Sequence, residues 1–235
     1  ESVASMVKHF PGSGALDGGK DSHFPPGIQS YRGGNFEYHI KPFEEAIEIG
    51  VSSIMTYYSL PIGITKEEVG AGYNSELLLG LLRGKYAFDG IICTDWAIIS
   101  DIILPDGKVV KPASAYGVEN LNISERLEKV VMSGVDLIGG ENLTNELVKL
   151  IESGQIMESR IDESVSRIMK QKFQLGLFDN PFLDSKQLEI FDNEINRAKG
   201  IEAQKKSLTL LKNHENVLPL SESSKVFYHG FNEDF

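Results

Sequence analysis

The sequence predicts an α/β fold built on a parallel sheet, and three observations carry that expectation. Short apolar runs alternate with helical patterns four times in about 155 residues, the grammar of repeated βα units. The run Ile91-Ile92-Cys93 has no polar alternation, as a strand buried on both faces requires. Most of the 23 Gly and 9 Pro fall between the periodic segments, where they act as breakers. Four such units are half of an eightfold barrel or most of a doubly wound sheet. A nucleotide-binding version of the latter is weakly supported. No strand leads into a G-x-G-x-x-G or a P-loop, and Gly12-Ser13-Gly14 runs into a long loop.

Taken in order, residues 3–7 read as a first strand delivering Lys8-His9-Phe10-Pro11-Gly12 at its end. The Gly-, Asp- and Pro-rich loop from Ser13 to Asn35 is long enough to be functional. Pro42 opens a helical pattern through Phe43, Ala46, Ile47 and Ile49, which Gly50 stops. Val51 to Tyr57 is the second strand, running into Tyr58-Ser59. Asn74-Ser75-Glu76 starts a helix whose buried stripe is Leu77, Leu78, Leu81 and Leu82. Gly90 to Thr94 is the third strand, and residues 97–120 are irregular. Asn122 with Glu125 forms a capping box for a helix carrying Leu127, Val130 and Val131. Gly134 to Gly140 is a fourth strand, followed by helices over 143–153 and 159–175, the latter capped by Ser159 with Asp162. The composition then changes. Residues 179–192 are rich in Asp, Asn and Pro, and a helix comes next at about 196–212, with Ile201, Leu208, Leu210 and Leu211 on its apolar side. Val226-Phe227-Tyr228 reads as a short strand of a second domain.

Charge narrows the partners. A net charge of −11 and a pI near 5.0 argue against nucleic acid and anionic membrane. No apolar stretch approaches the roughly 20 residues of a membrane helix. The single cysteine permits no intrachain disulfide. A chain that opens at Glu1 with no methionine is expected to be the interior of something longer.

Asp95 stands at the carboxyl end of the third strand, before the only tryptophan, Trp96. In α/β folds reactive groups sit at that end of the strands, so Asp95 reads either as a catalytic acid or as a cap for the next helix or turn. Further motifs lie around it: Lys8-His9-Phe10-Pro11-Gly12, Met55-Thr56-Tyr57-Tyr58-Ser59, Phe88-Asp89-Gly90, Thr94-Asp95-Trp96, Gly134-Val135-Asp136, and Leu210-Leu211-Lys212-Asn213 with Leu218-Pro219-Leu220. In this order and over nearly the whole chain, they resemble glycoside hydrolase family 3.

The resemblance implies the second half of a (β/α)₈-like, TIM-type barrel over residues 1–178, a linker over 179–195 and the start of an α/β sandwich domain over 196–235. It implies retaining, exo-acting hydrolysis of β-glycosidic bonds of the β-glucosidase or exo-glucanase type, on a β-linked oligosaccharide or glycoside, with no metal and no organic cofactor. Asp95 takes the nucleophile's place, and retention needs such an ionised carboxylate against the anomeric carbon. Lys8 and His9 match a pair that hydrogen-bonds sugar hydroxyls, and the Lys8 charge favours an ionised Asp95. Tyr58 matches a tyrosine beside the nucleophile; Tyr57, one residue away, alternates to the other face. Trp96 is either an aromatic wall for the sugar or an ordinary core residue.

The acid/base is where the pattern departs. In β-glucosidases of the family it is a Glu of the second domain, beyond Phe235. In the hexosaminidase and phosphorylase branch an Asp-x-His does that work, and Asp21-Ser22-His23 stands two residues further along the loop than that pattern. Asp21 and His23 are thus an acid/base pair or shape the pocket, and the approaching second domain favours the pocket. The rival readings are a β-N-acetylhexosaminidase using that pair and a carbohydrate-binding fragment without turnover. The missing barrel half and the rest of the sandwich are the expected partners.

Overall fold

The structure, a computed structural model, describes residues 3–182, 184–190, 193–227 and 229. It divides into two compact units, Glu1–Pro181 and Phe182–Phe235.

In the first unit β1 (Met6–Phe10), β3 (Ser53–Thr56) and β5 (Ile91–Cys93) form a parallel sheet in that spatial order. The three strands thus follow one another across the sheet in chain order, and the two strands that fall between them in the chain pair in a sheet of their own. The segment predicted as a fourth strand continues the progression along the free edge of β5, where Leu137 bridges Cys93 in parallel. The pairing is short: Ile92 O accepts the Asp136 amide (2.8 Å) and the Leu137 amide (3.1 Å), and the Thr94 amide donates to Leu137 O (3.0 Å). The Ile91 amide donates to Ser52 O, 3.1 Å away. The next amide, Ile92 N, faces the other edge and donates to Asp136 Oδ2 (2.9 Å) rather than to a carbonyl.

The first strand begins later than residues 3–7, so Lys8 and His9 lie within it. Val7 pairs with Ile54 and Phe10 with Thr56, which leaves β1 one residue longer than β3 over that interval. The surplus is a bulge at Lys8-His9, a local distortion that re-aims side chains.

The long loop is less irregular than its composition suggests. It carries β2 (Ile28–Ser30), which pairs in parallel with β4 (Leu60–Ile62). Helix α1 (Phe36–Glu48) starts six residues before Pro42, which sits inside it. Burial of Ile40 and Phe43, with Phe36 and Ile47 packed on the same core, overrides the proline. Glu76–Lys85 winds as a π-helix; Asn74 Oδ1 accepts the Leu77 amide at 3.1 Å, and Gly80 and Gly84 weaken the α-helical preference.

The region 97–120 holds an antiparallel hairpin of β6 (Ile102–Ile103) and β7 (Val109–Lys111). Helix α2 (Ile123–Met132) starts on the expected Asn122–Glu125 capping box. Helices α3 (Thr144–Glu152) and α4 (Glu158–Gln174) match their predicted spans closely. The Ser159 cap does not form: α4 starts from Met157, whose carbonyl accepts the Arg160 amide (2.9 Å), behind the buried Ile156.

The first unit's core joins Phe10, Ile54, Ile92, Leu78, Leu82, Leu127 and Val130, all fully buried, between sheet and helices. In the second unit α5 (Glu194–Ser207) ends before the predicted 212, and Leu208, Leu210 and Leu211 lie exposed beyond it. Val226 and Phe227 form no strand, and Tyr228 lies outside the described residues.

Asp136 is the polar centre of the first unit. Its side chain is fully buried and meets Arg83 Nη2 at 2.6 Å, Arg167 Nη1 at 3.0 Å and the Ser164 hydroxyl at 2.8 Å. Removing one partner of a buried ion cluster strands the others, at a cost of about 3–5 kcal/mol. Asp136→Ala in the full-length protein is expected to lose that much in urea denaturation. A loss below about 1 kcal/mol would mean that the cluster does not hold the fold.

Candidate active site

Side chains from four segments converge at the carboxyl ends of the parallel strands. Asp95 follows β5 and is buried, with Oδ1 accepting the Trp96 amide at 2.8 Å. Its Oδ2 is buried too. His9 Nε2 from the β1 bulge lies 3.3 Å away, close enough for an ion pair but misaligned for a hydrogen bond, so Oδ2 has no hydrogen-bond donor among the described residues. Burial pushes the His9 pKa down against the pull of Asp95, and the charges of Lys8 and His23 push the same way. The imidazole is therefore neutral at pH 7.

Tyr58, just past β3, is buried; burial first and the Asp95 carboxylate second push its pKa up, so its hydroxyl keeps its proton beside that carboxylate. Tyr57 does not alternate away. Both tyrosines follow the end of β3, where strand alternation no longer applies. The Tyr57 ring centre lies 5.0 Å from that of His9, and its hydroxyl donates to Asp21 Oδ1 at 3.3 Å. Lys8 is exposed, and its ammonium has no ion pair among the described residues.

Asp21 and His23 meet as a pair. Asp21 Oδ1 lies 2.7 Å from His23 Nδ1 and accepts the His23 amide at 2.9 Å, which holds the Asp21 pKa below its ordinary value. The His23 ring stands edge-on to Tyr58, centres 4.8 Å apart. Trp96 is 61% exposed rather than a core residue. Its indole lies against Gly139 and Gly140, where an added Cβ would come within 2.9 Å and 2.5 Å of the ring. That contact explains the glycine pair after the fourth predicted strand.

Sequence reasoning missed the residues that brace the site. Gln29 is fully buried; its amide donates to Gly12 O, while its Oε1 accepts from the Ser59 hydroxyl (2.7 Å) and the Tyr31 hydroxyl (3.1 Å). It thereby ties the chain after β1 to the chain after β3. Glu141 accepts the amides of Ile98 (2.9 Å), Ile99 (3.0 Å) and Ser100 (2.8 Å), fixing the turn after Asp95. Lys111, from the hairpin, holds its ammonium 4.2 Å from the centre of the Tyr58 ring. The one cue in the sequence was Glu141, an acid directly after two glycines.

The thiol of Cys93 behind Asp95 is held up at about 11 by burial, then by that carboxylate, so it is no nucleophile at neutral pH. Among the described residues no three His, Cys, Asp or Glu side chains converge as metal ligands, and no helix is long and apolar enough to cross a membrane. A buried carboxylate set between a histidine, two tyrosines and an exposed indole suits a polyhydroxylated ring: hydroxyls for the polar edge, aromatic faces for the C–H face.

Comparisons with known proteins identify the chain's relatives. The profile of the glycosyl hydrolase family 3 N terminal domain matches residues 1–171. A probable beta-glucosidase C of Aspergillus oryzae is 44% identical over 240 aligned residues, covering 100% of this chain and 37% of the fungal protein. Among solved structures, the beta-glucosidase of Listeria innocua in complex with glucose superposes with a TM-score of 0.69 at 26% identity, over 93% of this chain and 28% of that one. A family 3 beta-N-acetylglucosaminidase from Paenibacillus superposes with a TM-score of 0.61 at 27% identity, over 77% of this chain and 33% of that one. The chain spans little more than a third of the fungal relative's length. With the family profile matched over most of its residues, the chain belongs to glycosyl hydrolase family 3.

Proposed function

We propose that the protein of which this chain is part hydrolyses β-glucosides with retention of configuration, and that Asp95 is its nucleophile. One observation carries the reading. Asp95 is a buried carboxylate at the carboxyl end of β5, and one of its oxygens has no donor among the described residues. An acceptor oxygen left free in a half-built pocket is available to attack an anomeric carbon. A glycosyl-enzyme forms as the C–O bond to the leaving group breaks, and water then hydrolyses it. Tyr58 and the neutral His9 orient the carboxylate and the glycone, Lys8 reaches sugar hydroxyls, and Trp96 offers its face to the ring. The name of the Aspergillus relative supports a glucoside as substrate.

The architecture points the same way. Strands that cross the sheet in chain order, β1-β3-β5 and then Leu137, suit a barrel better than a doubly wound sheet, whose order reverses at a switch point. Residues 1–178 are read as half of that barrel, 179–195 as a linker and 196–235 as the start of a sandwich domain. The general acid comes from outside the chain, from the rest of the second domain.

A slow-turnover 2-fluoro β-glucoside is expected to label Asp95 in the full-length protein, as mapped on the modified peptide. Asp95→Ala is expected to lower kcat by about 10⁴-fold or more, the scale at which removing a covalent nucleophile is felt. Label on Asp101 or Asp136 would refute the assignment.

The Asp21–His23 contact at 2.7 Å supports a second reading, in which His23 is the general acid as in the hexosaminidase branch. Measuring kcat/KM on an activated aryl glucoside and on a disaccharide separates the two. His23→Ala is expected to weaken both by similar factors. A loss of about 10²–10⁴-fold confined to the poor leaving group would move the acid onto His23 and put the hexosaminidase reading first.

A further inference from the structure

The stretch after Asp95 leaves the parallel sheet and folds into the separate β6–β7 hairpin, and the root of that hairpin is pinned on both sides. Glu141 holds the amides of Ile98, Ile99 and Ser100. Across the root, Asp101 Oδ1 accepts the Ala113 amide at 2.7 Å and Ala97 O accepts the Ser114 amide at 2.8 Å. Lys111 pairs with Ile102 one step above. The position of Lys111 is therefore built on the same backbone that carries Asp95.

Its side chain comes back over the site. The ammonium lies 4.2 Å from the centre of the Tyr58 ring, with no carboxylate within ion-pair reach among the described residues. The stem lines a cavity of about 420 Å³ with His23, Phe24, Pro25 and Tyr116. Burial lowers the Lys111 pKa, while the charges of Asp95 and Asp21 pull it back up. The other groups around Asp95 do not balance its charge. His9 is neutral, Tyr58 and Cys93 keep their protons, His23 is engaged by Asp21, and Lys8 is exposed.

We propose that Lys111 is a positioning residue for the glycoside chemistry: its ammonium, stacked on Tyr58, offsets the Asp95 carboxylate and keeps the Tyr58 hydroxyl turned toward it. A cation over the face of a phenol draws on the ring's electrons and sharpens its hydroxyl as a donor. The proposal rests on Asp95 being the nucleophile, and the labelling experiment tests that premise separately.

The sign of the effect comes from the charge. A nearby cation favours the carboxylate over the carboxylic acid. Without it the acid form persists to higher pH, so the acid limb of kcat/KM moves up. In the full-length protein Lys111→Met is expected to raise that limb by ~0.5–1 unit and to lower kcat/KM on an aryl glucoside by up to about tenfold on the acid side. Lys111→Arg, which keeps charge and stacking, should retain most of the activity and the parental limb. Lys111→Gln gives the same readout should the methionine variant not fold. An acid limb that stays in place in both neutral variants overturns the proposal. A loss that grows with the bulk of the leaving group at every pH does so too, and makes Lys111 only a wall of the cavity.

Discussion

Asp136 is the constraint on which the rest of the first unit depends. A carboxylate with no exposure must have its charge met and its lone pairs used, or it costs several kcal/mol. Asp136 meets both conditions by drawing in Arg83 from the π-helix, Arg167 and Ser164 from α4, and the Ile92 amide from β5. One side chain therefore sets the distances among two helices and β5. Asp95 sits three residues beyond Ile92, so its place in space is set by that anchor.

The site itself is assembled from polar braces rather than from regular structure. β1 bulges at Lys8-His9, β3 ends before Tyr57, and β5 ends at Cys93, so of the residues the family motifs point to only His9 and Lys8 lie within the parallel sheet. Loops lack hydrogen-bonded neighbours of their own, and buried ones need side chains to satisfy their amides and carbonyls. Gln29 does this between the ends of β1 and β3, and Glu141 does it after β5. The packing of Trp96 on Gly139 and Gly140 extends the same logic: the backbone is kept bare where an indole must lie flat against it.

The features legible in the sequence divide along physical lines. Helix α2 was readable from its capping box and β5 from its uniform apolar run, because both signals are local. Asp95, His9 and Tyr58 were placed together through family motifs, and the geometry brings them together. The start of α1 was misplaced because burial of Ile40 and Phe43 outweighs the local preference of Pro42, and burial is not a local property. The fourth strand is read from apolarity alone, yet it pairs with β5 only around the Leu137–Cys93 bridge, and the Ile92 amide goes to the Asp136 side chain. Strand alternation puts Tyr57 on the opposite face, but alternation holds only within the strand, and β3 ends at Thr56. Lys111 was invisible, since nothing in the hairpin's sequence says that its end turns back over Tyr58.

Two buried aspartates in one small unit show how role is set. Asp136 has four donors on its two oxygens, namely two guanidinium groups, a hydroxyl and an amide. Every lone pair that could react is committed, so the group is inert and holds structure. Among the described residues Asp95 has one donor on Oδ1 and none on Oδ2. A scaffold tolerates an unsatisfied buried oxygen only where surrounding structure over-determines it, and here His9, Tyr58 and the clamped turn after Asp95 supply that structure. The same side chain is a fastener in one place and keeps a free acceptor oxygen in the other. The difference lies in how many donors the fold has aimed at it, a quantity that residue type does not reveal and the hydrogen-bond pattern does.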